Sequence, residues 1–244
     1  MANFTESDWK EFVASRRTTR DFLNKEVPDS LIDELLTDAM TAPSWSNTRP
    51  YLVGIAKGEK RDRISKELLN RWKVAGKALR GGWLGKAKLL FTRYGLPTSD
   101  YKVFRPYPRE LVPRQQRVGA ELYGLLGIRR DNQAARQAQW ARNYEFFGAP
   151  VELFIFTHAG LGEYSVLDAG FFMQNLLLGA QARGLGACAQ GAVALWADPI
   201  RKEFSIPKGY KLLCGIAIGY PSDDKVNGFK AERLPIEEIK LKDA

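Results

Sequence analysis

The chain has 244 residues, 45% of them hydrophobic, and we expect one domain over residues 1–244 with a sizeable core. Its formal net charge of +9 is concentrated in residues 57–117, where seventeen Lys and Arg against five Asp and Glu leave +12. Such a patch, with aromatic residues among its cations, attracts a small anionic substrate, a phosphorylated cofactor or nucleic acid. No RNA- or DNA-binding signature accompanies it. We expect no nucleic-acid partner, and a basic nucleic-acid-binding protein remains the alternative from another functional class.

No segment predicts a membrane or secreted protein. The longest apolar stretch, residues 166–182, contains Asp168 and is too short and too polar to cross a bilayer comfortably. Residues 1–15 lack the basic and then apolar pattern of a secretion signal. Cys188 and Cys214 lie in apolar runs without metal-ligand spacing, which indicates reduced, packed thiols. We therefore expect a cytoplasmic protein with no membrane partner.

Helical and strand patterns alternate along the first half of the chain. The predicted elements are, in order, a helix from Thr5 or Ser7 to an arginine cluster at 16–20, a helix from Pro28 to Pro43, a strand over 51–56 and a basic helix over 59–79. The stretch 81–113 is rich in glycine and proline and predicts irregular structure. Because long loops are usually functional or mobile, we interpret residues 60–112 as an irregular basic insertion.

The second half continues the alternation. Helices are predicted over 113–126 and 131–147, the latter capped by Asp131, followed by a buried strand over 151–156, a helix from Ser165 to Arg183, a short helix at Asp198, a strand over 212–220 and an edge strand over 229–235. The helix that begins at Ser165 is apolar almost all round, which indicates burial inside the fold or at a subunit interface. His158 is the only histidine, so neither a histidine-based triad nor a multi-histidine metal site can form.

One short motif imitates a dinucleotide-binding fingerprint. Gly184, Gly186 and Ala189 spell G-x-G-x-x-A. That fingerprint must follow a strand and open a helix, whereas this one follows a helix and enters a strand. We reject a Rossmann site and interpret the two glycines as a helix stop and a tight turn.

The run at residues 16–20, Arg-Arg-Thr-Thr-Arg, has the composition of a phosphate-binding segment. A guanidinium offers five donors in a fixed fork, and threonine hydroxyls can satisfy the remaining lone pairs of a phosphate. The same run is also compatible with a solvated basic helix end. The run by itself leaves both interpretations open.

Four segments, in order and spacing, carry a family resemblance: residues 16–20 (RRTTR), 42–51 (APSWSNTRPY), 215–220 (GIAIGY) and 233–235 (RLP). In these the chain resembles the FMN-dependent nitroreductase family, and within it the members that reduce nitrobenzoates and other nitroarenes. The resemblance implies an α+β fold in which helices wrap a central mixed β-sheet. It also implies an intertwined homodimer with one FMN in each of two clefts at the subunit interface. The apolar helix over 166–183 would then form the dimer core.

The same resemblance implies which residues bind the cofactor. These are Arg16, Arg17, Thr18 and Arg233 at the FMN phosphate, Arg20 near N1 and O2 of the flavin, Pro43, Ser44, Trp45 and Asn47 reaching over from the partner subunit, and Gln190 with Gly191 beside the flavin N5. Many relatives have Glu at position 191, so we expect a main-chain contact there. Trp45 is equally compatible with an ordinary interface aromatic. Relatives often have a second cation two residues before Arg233; this chain has Ala231 there, with Lys230 next to it.

The implied reaction uses no protein nucleophile and no metal. NADPH or NADH reduces FMN, and a nitroaromatic compound or a quinone then takes the electrons in a ping-pong cycle. Residues 60–112 would act as a lid over the substrate, and their charge would favour anionic substrates. Another flavin reaction on the same fold, such as reductive dehalogenation, is the alternative enzyme reaction.

Overall fold

The computed structural model describes residues 4–103 and 105–241. The helices in this part of the chain are α1 (Glu6–Ser15), α2 (Asp29–Ala39), α3 (Gly58–Arg80), α4 (Gly82–Thr92), α5 (Val112–Leu125), α6 (Gln133–Ala141), α7 (Glu163–Ala182) and α8 (Ala197–Arg201). The strands are β1 (Tyr51–Lys57), β2 (Val151–His158), β3 (Gly186–Gln190) and β4 (Tyr210–Gly219). Short 3₁₀ segments connect several of them. None of the helices in these ranges combines the length and apolarity needed to span a bilayer.

The four strands form one sheet in the order β1-β2-β4-β3, with every neighbouring pair antiparallel. Side chains alternate along β2, so that Leu153 and Ile155 pack towards α2 and α7, while Phe154 and Phe156 pack towards α3 and α8. Both faces of the sheet are therefore covered by helices, which confirms the α+β class. The mixed character expected of the sheet is confined to a parallel bridge between Thr18 and Ala187 at the β3 edge.

Helix α7 packs against the sheet with one face only. Asp168, Phe172 and Leu176 are buried, whereas Leu167 and Phe171 on the opposite face are 50% and 43% exposed. The predicted Ser165 cap is wrong, because the helix begins at Glu163 and the Ser165 hydroxyl donates instead to the His158 carbonyl at 2.5 Å. The exposed apolar face is the part of this helix that the chain itself leaves uncovered.

The stretch 81–113 is more regular than the sequence indicates. Helix α4 forms there and packs on α3. The two helices can approach this closely because Gly85 has no side chain, since a Cβ at this position would overlap the Ala78 carbonyl. Glycine in this stretch thus allows a close helix contact as well as a chain reversal. The predicted basic helix over 59–79 is confirmed as α3.

Two further expectations are wrong in detail. The helix predicted over 131–147 is capped by Asn132, whose side chain accepts from the Ala135 amide at 3.0 Å, and it breaks at residue 142. Phe146 and Phe147 adopt left-handed backbone conformations (φ 53° and 54°), and the burial of both rings offsets that strain. The edge strand predicted over 229–235 does not form, and the segment is irregular.

The G-x-G-x-x-A motif is not a nucleotide fold signature, as predicted. Gly184 ends α7 with φ +69°, and Gly186 opens strand β3 rather than a helix. The predicted cap of the first helix is also confirmed, since Thr5 and Asp8 form a reciprocal capping box.

Candidate functional site

A cluster of cations from both ends of the chain lines a cavity of about 270 Å³, which we call the arginine pocket. Its polar lining consists of Arg16, Arg17, Thr18, Arg20, Lys230 and Arg233. No carboxylate is among the described residues that line it. The structure therefore brings together the arginine run and the C-terminal arginine, as the family resemblance predicts.

Main-chain hydrogen bonds fix the arginine run against the sheet. The Thr19 amide donates to the Ala187 carbonyl at 3.0 Å, which attaches the run to strand β3. The Arg20 amide donates to Asn227 Oδ1 at 2.8 Å, and Asn227 Nδ2 donates back to the Asp21 carbonyl at 2.7 Å. Asn227 was missed in the sequence because its role depends on a partner 207 residues away. These bonds leave the arginine side chains available for a ligand.

Gly186 also helps to position the run. Thr19 is 7% exposed, and its side chain occupies the space that a Cβ at position 186 would need. Only glycine allows β3 and the arginine run to approach this closely. Glycine is thus required at position 186 by this close packing, and not by a dinucleotide-binding function.

The electrostatics of the arginine pocket favour an anion. Burial and the neighbouring Arg233 lower the pKa of the Arg16 guanidinium. Both effects disfavour the unpaired cation, and a bound phosphate dianion would relieve them. The pocket therefore fits the phosphate of FMN, because it offers cationic donors from two sides of the cavity and no lining carboxylate among the described residues would repel the anion.

The segment predicted to meet the flavin N5 lies at the end of β3. Gln190 is 2% exposed, and its Nε2 donates to the Asn143 carbonyl at 2.8 Å. The next residue, Gly191, is exposed, and a Cβ built there would meet no atom within 4 Å. The main chain at Gly191 is therefore open to a flat ligand, and Asn143 joins the site as a residue that sequence reasoning missed.

Residues 43–47 do not line the arginine pocket of the same chain. The Trp45 amide donates to Asp168 of α7 at 3.0 Å, and the Trp45 ring contacts Tyr164 with centroids 4.3 Å apart. Ser44 Oγ accepts from the Arg49 amide at 3.0 Å. Asn47 has a left-handed backbone (φ 58°). This segment continues the exposed surface of α7, and its contact with FMN stays a prediction.

A buried acid on β2 was also missed. Glu152 is fully buried, and neither carboxylate oxygen has a hydrogen-bond partner among the described residues. Burial raises the pKa of Glu152 well above its ordinary value, and the charge of Arg61 offsets this only in part. The carboxyl lies over Gly215, where a Cβ would overlap Oε1. A single charged residue in the apolar run 151–156 was the signal that could have found it.

Comparison with known proteins decides the family. The model of the Nitroreductase family matches residues 13–220. The chain belongs to this family. A 4-nitrobenzoate reductase of Pseudomonas putida is 31% identical over 236 residues, which cover 96% of this chain and 94% of that protein. The chain is also 27% identical over 231 residues to a chloronitrobenzene nitroreductase of Comamonas testosteroni, with 94% of each covered.

Solved nitroreductases share the fold over nearly the whole chain. An FMN- and NADPH-dependent nitroreductase NfnB of Sphigopyxis sp. strain HMH superposes with a TM-score of 0.82 at 27% identity, covering 96% of this chain and 98% of that one. The FMN-dependent NfnB of Mycobacterium smegmatis, solved with NADPH, gives 0.81 at 28% identity with 97% and 98% covered. These matches confirm the predicted family and fold. Within the described ranges, no cluster of three or more His, Cys, Asp or Glu could hold a metal ion.

Proposed function

We propose that the protein is an FMN-dependent oxidoreductase that uses NADPH or NADH to reduce nitroaromatic compounds, with quinones as further oxidants. The observation that carries this proposal is the arginine pocket, in which cations from residues 16–20 and 230–233 converge without a lining carboxylate. Family membership and relatives named as nitrobenzoate and chloronitrobenzene reductases support the same activity.

The residues of the site divide the work of holding the cofactor. Arg16, Arg17 and Thr18 bind its phosphate from one side and Arg233 from the other. Arg20 places a fixed cation near the part of the flavin ring that gains negative charge on reduction. The Gly191 amide donates a hydrogen bond at the ring edge. When bound, FMN supplies the chemistry of accepting hydride from the nicotinamide and passing electrons to the oxidant.

The active form is a homodimer with the two sites at the subunit interface. Its support is the exposed apolar surface formed by Leu167 and Phe171 of α7 together with Tyr164 and Trp45, which are 50% and 54% exposed. Contiguous exposed apolar surface of this kind marks an interaction site. In the dimer, Pro43, Ser44, Trp45 and Asn47 of one subunit complete the FMN site of the other.

The protein works in the cytoplasm. Cys188 and Cys214 are both buried free thiols, which suits a reducing compartment. NADPH and NADH are available there as electron donors. Residues 60–112 act as a lid over the substrate, and the positive charge of segment 57–117 favours anionic substrates and the additional phosphate of NADPH.

The test is to purify the protein and record its visible spectrum. We expect flavin bands that NADPH or NADH bleaches under anaerobic conditions and that a nitroarene restores. A colourless protein that takes up no added FMN contradicts the proposal.

A substitution then tests the arginine pocket. Arg233→Gln should weaken FMN binding about ten- to a hundredfold, because a charge-assisted hydrogen bond contributes roughly 1.5–3 kcal/mol. Arg129→Gln is the matched control, since Arg129 pairs with Asp131 and does not line the pocket. Equal FMN affinity in both variants would place the phosphate elsewhere.

A further inference from the structure

A second and larger cavity, of about 790 Å³, opens between α3, α5 and α6, and we call it the α5–α6 cavity. Its aromatic walls come from Trp72, Tyr123 and Trp140, and its lining also includes Arg117, Arg136 and Gln137. Trp72 and Trp140 stack with ring centroids 6.4 Å apart. Volume and lining are typical of a site for a small aromatic ligand.

The α5–α6 cavity lies beside the elements expected to hold FMN. On α5, Arg117 lines this cavity, and the next residue, Val118, lines the arginine pocket. At the wall formed by Trp140, the Trp140 carbonyl accepts a hydrogen bond from Asn143 Nδ2 at 2.9 Å. The Asn143 carbonyl in turn accepts from Gln190 Nε2. Hydrogen bonds thus connect the wall of the cavity at Trp140, through Asn143, to Gln190, the residue that precedes the open main chain at Gly191.

The charges that line the α5–α6 cavity are all positive. Arg117, Arg130 and Arg136 contribute to its lining, and no acidic residue does so among the described residues. Only Arg117 comes from the basic segment 57–117, and it is already paired with Glu232 at 2.6 Å. Within the cavity, the cations that are not paired with a carboxylate among the described residues are therefore Arg130 and Arg136, which follow this segment.

Arg136 is oriented by an aromatic ring rather than by a carboxylate. Its guanidinium lies over the Tyr123 ring, 4.1 Å from the centroid, and no carboxylate within the described ranges pairs with it. The contact with the Tyr123 ring orients the planar guanidinium of Arg136. Its N–H donors remain available to a carboxylate of a ligand. An aromatic acid matches both features of the cavity, because its planar carboxylate can pair with the Arg136 guanidinium and its ring can pack against the aromatic walls.

We infer that the α5–α6 cavity is the oxidant subsite and that Arg136 binds a carboxylate on the aromatic substrate, so that aromatic acids are preferred over their neutral analogues. This inference rests on the proposed function, because it names the substrate class of that site. Arg136 is thereby a specificity-determining residue.

Binding of compounds that cannot be reduced tests the subsite apart from turnover. Titration calorimetry of the FMN-loaded protein should show that Arg136→Gln weakens benzoate about ten- to a hundredfold and changes benzamide little. Arg136→Lys should recover part of the benzoate affinity, and Arg129→Gln should leave it unchanged, since Arg129 does not line the cavity. An equal loss for benzoate and benzamide, or no loss for either, overturns the inference.

Kinetics test the same residue during the reaction. For 4-nitrobenzoate, Arg136→Gln should raise KM by the same factor with kcat nearly unchanged, whereas 4-nitrobenzamide and NADPH should keep their KM values. A matching rise in the NADPH KM would assign Arg136 to the nucleotide and overturn the inference. If the wild-type protein binds benzoate but reduces neither nitro compound, the proposed function fails while the anion subsite stands.

Discussion

Replacing Glu152 with glutamine tests whether a carboxylic acid is buried in its neutral form at the centre of the sheet. Glu152 is fully buried, its two oxygens have no hydrogen-bond partner among the described residues, and burial raises its pKa well above the ordinary value of 4.5. Glutamine has nearly the same shape and no charge at any pH. The substitution therefore removes the titration and retains most of the packing.

The expected effect depends on pH in a defined direction. Below pH 4.5 the carboxyl is protonated in both the folded and the unfolded chain and contributes no pH dependence. Above that value the unfolded chain loses the proton and the folded one keeps it, so the free energy of unfolding falls by about 1.4 kcal/mol per pH unit until the folded pKa is reached. Glu152→Gln should therefore gain stability relative to wild type as the pH rises above 4.5, and the gain should level off once the pH passes the raised pKa of the folded protein.

Urea unfolding at several pH values and constant FMN measures this difference. Glu145→Gln is the control, because Glu145 is an exposed carboxyl nearby in the chain and its removal should give a difference without this slope. A Glu152→Gln difference that stays constant with pH would refute the reasoning, since it would show that the folded protein holds Glu152 ionised or hydrated. Any part of the difference in the free energy of unfolding that does not change with pH reports how well the glutamine amide packs in place of the carboxyl.

Three further predictions concern the cofactor site and the interface. Gly186→Ala should destabilise the fold by about 1–3 kcal/mol and weaken FMN binding, because the new Cβ overlaps Thr19; unchanged urea midpoints and FMN affinity contradict this. Phe171→Asp places a charge on the exposed face of α7 and should yield monomers with reduced FMN content in size-exclusion chromatography with light scattering, whereas a stable dimer would exclude this face as the interface. Raised salt should increase the NADPH KM more than it changes kcat, since screening weakens the field of segment 57–117; a KM independent of salt rules out steering.

Local rules in the sequence predicted most of the elements. The capping box of Thr5, the apolar run of β2 and the glycine stop at Gly184 each depend on residues within a few positions of one another. The resemblance of four short segments predicts Arg16 and Arg233 at one phosphate, and both residues line the arginine pocket. The helix cap, the strand and the helix stop are predictable because their physical cause lies within the segment itself, whereas the convergence of Arg16 and Arg233 was predictable only from the family resemblance.

The features that were missed depend on contacts across the fold. The left-handed conformation of Phe146 and Phe147 is stabilised by a core to which α3, β2 and α8 all contribute. Asn227 ties the arginine run to the C-terminal region, and Glu152 is enclosed by neighbouring strands. No local pattern carries this information, because each depends on where distant strands and loops meet.

The arginine pocket also has a consequence for biosynthesis. Its lining comes from residues 13–20 and residues 229–233, with Val118 of α5 between them. At about 5–20 residues per second, a ribosome needs roughly ten seconds or more to add the intervening chain. Until Arg233 is added, the nascent protein consequently has only three of its four proposed phosphate-binding residues, namely Arg16, Arg17 and Thr18. A chain that ends before Arg233 would therefore hold the flavin phosphate from one side only.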